Sequence, residues 1–159
     1  MATVAGLFDN STNAHRAVEE LAAEGWPRDN ISIVARQQAD TESSHTNLAL
    51  KDAEKGAVVG GLAGLFLGLS ELAVPGVGLI LVGGWLAVAL LGAGVGAAAG
   101  GLVGSLVEAG ISHEAAGHLA EGVRRGEILV TVKTDADRAD AAAAIMQRCH
   151  PTKIESRTA

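Results

Sequence analysis

"GAVVGGLAGLFLGLSELAVPGVGLILVGGW", residues 56–85, contains no basic residue and a single acid, Glu71, and whether it forms helices or strands decides the architecture of the chain. Glycine recurs every fourth residue at Gly56, Gly60, Gly64 and Gly68, and the pattern returns at Gly92, Gly96, Gly100 and Gly104. An interior helical glycine costs about 1 kcal/mol relative to alanine. A row of them at four-residue spacing leaves a groove along one helix face, into which a second helix can pack closely. The spacing therefore predicts a glycine-zipper helical hairpin over residues 56–110. Its arms are residues 56–73 and 79–107, and its turn is "VPGVG", where Pro75, Gly76 and Gly78 interrupt helical periodicity.

Composition isolates the same segment. Sixteen of the 21 glycines lie between Gly56 and Gly110, and that stretch carries no base and only two acids, Glu71 and Glu108. Residues 1–55 hold five Lys/Arg against nine Asp/Glu, so most of the formal charge of −6 resides there. An acidic balance without basic clusters argues against nucleic acid as a partner. The one cysteine, Cys149, excludes an intramolecular disulfide and fits a reducing compartment. The start "MATVAGLFDN" does not read as a signal peptide.

The flanks read as an α+β domain split by the apolar middle, residues 1–35 and 111–159. "TVAGLF" alternates Val4, Gly6 and Phe8 against Ala5 and Leu7, as a strand does. A helix follows, with Asp9, Asn10 or Ser11 as cap, Ala14, Ala17, Val18 and Leu21 at helical spacing, and Gly25 as stop. "ISIVAR" is a second strand. Beyond the middle, "ISHEAAGHLAEGVRRG" reads as a helix capped by Ser112 and stopped at Gly126, and "EILVTVK" as a strand. "DADRADAAAAIMQRCH" is a helix opened by acids, and "TKIES" an edge strand. With the insertion and the helix after it removed, the order is β-α-β-β-α-β, the ferredoxin-like arrangement, with helices expected on one face of the sheet. "EELAAEGWPRDNISIV" and "GHLAEGVRRGEILVTV" repeat the order helix, turn, strand. Residues 36–55 are polar and read as a linker that becomes helical near Leu48.

No set of residues reads as catalytic, cofactor-binding or metal-ligating. "HEAAGH" sets His113 and His118 five residues apart, about 140° around a helix, which is the wrong spacing for a zinc pair and leaves them as solvated histidines. Cys149 and His150 are adjacent and do not face each other, so Cys149 reads as a partly buried structural thiol near a helix end. Asp135, Asp137 and Asp140 fall where they compensate a helix N-terminus. His15 and His45 have no visible partners. Gly92, Gly94 and Ala97 fit a dinucleotide fingerprint with Glu114 downstream, but the strand that should precede Glu114 is missing.

Two readings of the middle remain. In the first, the hairpin enters lipid: Lys51, Lys55, Arg124 and Arg125 lie on its open side and the turn bears no base, so both ends stay in the cytoplasm and the turn crosses the membrane. Trp85 would then occupy the far interface, and Glu71 would need a headgroup or a protected interior. In the second, the chain is cytoplasmic and homo-oligomeric. Pooled hairpins form an apolar core, as a scaffold or as a carrier for a lipophilic ligand.

"VAGLFDNSTNAHRAVEELAAEGWPRDNISIVAR", the insert from "DAEKGAVVGG" through "AVPGVGLILVGG", and "GISHEAAGHLAEGVRRGEILVTVKTD" resemble the YflT-type heat-induced general stress proteins of bacteria, in a version carrying a glycine-zipper hairpin. Ser112 and His113 stand where a more acidic stretch is expected. The resemblance implies a stress-associated protein without an established biochemical activity and brings no catalytic residues. The expectation is a non-enzymatic protein without cofactor or small-molecule substrate, associating with membrane lipid and with copies of itself.

Overall fold

A computed structural model describes residues 1–36, 70–74, 78–86, 89 and 101–158. The strands are β1 (Ala2–Phe8), β2 (Ile31–Arg36), β3 (Ser70–Val74), β4 (Gly78–Gly83), β5 (Ile128–Thr134) and β6 (Lys153–Thr158). The helices are α1 (Ser11–Ala23), α2 (Gly101–Glu108), α3 (His113–Arg124) and α4 (Ala136–Arg148), with a 3-10 turn at Arg28–Asn30. The strands form one antiparallel sheet in the order β3-β4-β2-β5-β1-β6. Because β1 and β2 both pair antiparallel with β5, they run in the same direction with β5 between them. β5 and β6 likewise flank β1. The β1–α1–β2 and β5–α4–β6 units are thus interleaved, and neither contains two strands that touch.

Local chemistry accounts for the helix ends. The Asn10 side chain accepts a hydrogen bond from the Asn13 amide at 2.8 Å, so it is the cap among the three candidates. Ser112 accepts from the Ala115 amide at 3.3 Å and caps α3 as its position predicts. Gly25 and Gly126 take the positive φ that closes α1 and α3. Asp135 and Asp137 lie at the start of α4, where negative charge offsets the helix dipole.

Alternation along β1 divides the core between two faces. Val4 and Phe8 pack with Val18, Leu21 and Ile145 under α1 and α4. Ala5 and Leu7 pack with Leu106, Leu119 and Val123 under α2 and α3. Every residue of β1 is buried, as a strand covered on both sides must be. This corrects the expectation of helices on one face. The helix set aside together with the insertion that precedes it, α3, lies on the opposite face from α1 and α4, with α2 beside it. The two helix–turn–strand repeats are present as α1–β2 and α3–β5, but they pack on opposite sides of the sheet.

The second correction concerns the apolar middle. Val74 pairs with Gly78 on either side of the expected turn, whose Pro75 and Gly76 lie outside the described residues, but the segments it joins are strands. β4 pairs with β2, from Val82 opposite Val34 to Ile80 opposite Arg36, and β3 pairs with β4. Leu79, Ile80, Leu81 and Val82 form a short run bounded by glycine, and an open sheet edge at β2 gives that run backbone partners which a helix would not need. Ser70–Val74 and Gly78–Gly83 are therefore paired antiparallel strands extending the sheet, and neither helical arm runs its expected length.

Among the expected zipper residues, Gly56, Gly60, Gly64, Gly68, Gly92, Gly96 and Gly100 lie outside the described residues, as do Pro75, Gly76 and the linker beyond Arg36. Gly104 is exposed on α2, and a Cβ added there would meet nothing within 4 Å. The described glycine that does bring a helix close is Gly122, absent from the expected set. A Cβ on it would collide with Leu7 Cδ1 and lie 2.7 Å from Glu127 Oε2, so a larger residue on α3 would require the Leu7 and Glu127 side-chain ends to move.

Candidate functional site

β1, β2 and β5 are mostly apolar, and the sheet register gathers four of their few polar side chains. Thr131 on β5 lies opposite Ala5 of β1 and Ser32 of β2, and Lys133 lies opposite Thr3. By alternation all four point to the α2/α3 face, two residues along from Leu129, Val34 and Ala5 of that core. The result is a polar seam at one end of an apolar layer, below the last turn of α2 and beside Trp85.

Two of the hydroxyls are satisfied by backbone. Thr3 Oγ1 donates to the Ala109 carbonyl at 2.8 Å, and Ser32 Oγ donates to the Gly83 carbonyl at 2.7 Å. These bonds tie the ends of α2 and β4 to the sheet. The Lys133 ammonium rests 4.1 Å from the centroid of the Trp85 ring. Such a contact contributes about 0.5–2 kcal/mol, depending on desolvation. Thr131, at 0 % exposure, and Trp85 are different: Thr131 Oγ1 and Trp85 Nε1 are buried without a hydrogen-bond partner among the described residues. A buried polar group left unpaired costs about 1–3 kcal/mol, so two of them within one seam are an uncompensated expense. Lys133 and Trp85 are both partly exposed, so the seam reaches solvent at that end.

Sequence reasoning did not single out Thr3, Ser32, Thr131 or Lys133, although polar residues alternating within apolar strands were the available signal. Trp85, expected at a membrane interface, packs instead against the α2/α3 core.

The sequence candidates themselves are dispersed. His113 and His118 are exposed on α3, with Glu114 in its first turn as an exposed helical residue. Asp135, Asp137 and Asp140 are exposed at the start of α4. Among the described residues no three His, Cys, Asp or Glu side chains cluster as metal ligands would. Gly92, Gly94, Ala97 and His45 lie outside the described residues. His15 is within 3.2 Å of Glu19 Oε1 on the same helix.

Cys149 is wholly buried at the end of α4. Burial pushes its thiol pKa up, and the nearby Glu20 carboxylate pushes it further; the Arg16 and Arg148 guanidinium groups only partly oppose this. The thiolate is the nucleophile, so such a thiol is chemically quiet. Native protein is expected to leave Cys149 unmodified by a thiol reagent at mildly alkaline pH, and denatured protein to react fully, as read by absorbance. Because the folded pKa is the higher one, this group's stabilising contribution is complete below the unfolded thiol pKa and is lost as pH rises through the folded value.

Comparison with known families adds one decisive observation. Residues 3–75 match the heat-induced stress protein YflT domain. The YflT match takes in β1, α1, β2 and β3 and ends at the hairpin turn. It agrees with the resemblance over the opening residues, while β4, β5, α4 and β6 lie beyond it. No similar curated protein or solved structure was found. Among the described residues no helix is long and apolar enough to cross a membrane.

Proposed function

We propose that this chain is a non-enzymatic bacterial general stress protein that acts by association, through its glycine-rich segment, with further copies of itself. The YflT match carries the stress assignment. The interleaved β1–α1–β2 and β5–α4–β6 units support a ferredoxin-like core once β3, β4, α2 and α3 are set aside. Self-association is supported by α2, where Gly104 is exposed with open space above it and Val107 beside it is 38 % exposed. That leaves a shallow apolar notch on an outer helix face, the shape into which a second helix packs.

Gly104→Leu separates this role from a role in folding. Leucine favours helix over glycine by about 1 kcal/mol and has free space at this position, so the melting temperature should hold or rise. The mass of the assembled particle, measured by light scattering, should fall towards that of a single chain. A wild-type protein that is already monomeric, or a variant of unchanged mass, would overturn the reading.

Membrane association is the second reading, and one feature favours it: no charged residue occurs from Leu72 to Val107. In that case the mass would respond to detergent, and the protein would remain with the membrane fraction after carbonate extraction. A cytoplasmic scaffold or carrier would be released.

A further inference from the structure

The geometry points to the seam beside Trp85 as a binding site for a small oxyanion, a carboxylate or a phosphate group. The argument starts from what the unpaired groups can accept. An indole N–H and an ammonium are donors only, and a threonine hydroxyl can donate as well. Trp85 Nε1 and Thr131 Oγ1 are buried and unpaired among the described residues, and Lys133 lies two residues along β5 from Thr131 with its ammonium against the Trp85 ring. Three donors on one side of a single layer call for a ligand that offers several acceptor atoms. The ion pairs formed among the described residues do not include Lys133, so its charge is balanced by no carboxylate there. A water molecule would satisfy hydroxyl and indole but leave that charge unanswered. An oxyanion meets both needs, since its oxygens accept from all three groups and its charge faces the ammonium in a partly desolvated setting, where such bonds are strongest.

The two satisfied hydroxyls shape the site. Thr3 and Ser32 are committed to Ala109 and Gly83, so they fix its edges. A ligand would enter from the Lys133–Trp85 end, where both side chains are partly exposed.

The test uses the full chain and its two indole N–H signals in a nitrogen–proton correlation spectrum, assigned with Trp85→Phe. Trp26 serves as the internal reference, because its Nε1 already donates to Thr134 Oγ1 at 3.0 Å. Titration with inorganic phosphate, with acetate, and with chloride as the ionic-strength control should move the Trp85 signal saturably with one or both oxyanions and leave Trp26 in place. Acetate alone identifies a carboxylate site, and phosphate alone a phosphate site. Lys133→Met should weaken the binding about tenfold or more, the value of a charge-assisted hydrogen bond. A Trp85 signal that stays put with both oxyanions, or moves equally with chloride, overturns the proposal. An unchanged affinity in Lys133→Met does so as well. The wild-type titration decides the matter even if the variant fails to fold.

Discussion

Trp26→Ala is expected to lower unfolding stability by about 3–5 kcal/mol, measured as a shift of the urea midpoint. Trp26 is 5 % exposed and lies in the bend between α1 and β2. Its amide donates to the Leu21 carbonyl at 3.1 Å, closing the end of α1. Its indole donates to Thr134 at the end of β5, and the Arg138 guanidinium from α4 lies 4.0 Å above the ring. One side chain thus connects elements more than a hundred residues apart in sequence, and truncation leaves both a cavity and an unpaired, buried Thr134 hydroxyl. Trp26→Phe keeps most of the ring and gives up the hydrogen bond, so its cost should be much smaller, about 1–2 kcal/mol. If the two variants prove equally stable, ring packing contributes little and Trp26 is not the staple described.

The second large effect belongs to Gly84→Ala. Gly84 has φ of +81°, and a Cβ there would run into the carbonyl of Ile31. Alanine in left-handed backbone costs about 1–2 kcal/mol. The steric conflict adds about 1–3 kcal/mol, and the obstacle is backbone, which has little room to yield. A total near 3 kcal/mol is expected, again from denaturant titration. Position matters as much as size: Gly84 joins β4 to Trp85, so relief of the clash must move β4 off β2 or swing Trp85 away from Lys133. The Trp85 indole signal should therefore shift in any Gly84→Ala protein that folds, while Trp26 keeps its place. A fully stable variant with both signals unchanged would mean that the tight approach at Ile31 is absent in solution.

Much of the outer architecture was legible in the sequence. The period of two in β1, β2 and β5, and the caps at Asn10 and Ser112, are local signals, and local chemistry decided them. The β-hairpin was misread because a glycine every fourth residue and a run such as Leu79–Val82 satisfy helix and strand patterns alike. What settled the matter was β2, whose free edge is a tertiary fact. Coverage of both sheet faces did leave a trace: β1 reads "ATVAGLF", with no charged residue on either side of its alternation, as suits a strand buried twice over. The seam was harder to find. Thr131 and Lys133 gain meaning only when the register sets them opposite Ser32 and Thr3, and when a tryptophan from a distant segment folds over them. The stress-protein resemblance is matched over residues 3–75, which take in the opening stretch, while "EGVRRGEILVTV", residues 121–132, lies beyond the match.

The interleaving of the strands has a consequence for the ribosome. β1 and β2 are made well before β5, yet neither pairs with the other; the strand both require, β5, starts at Ile128. Roughly 90 residues must be added after β2 ends, which at ordinary rates of synthesis takes on the order of 5–20 seconds. Throughout that interval two apolar strands have open edges, in a chain whose match is to a heat-induced family. Nascent chains arrested before Ile128 should accordingly recruit holding chaperones, and chains released beyond β6 should let them go.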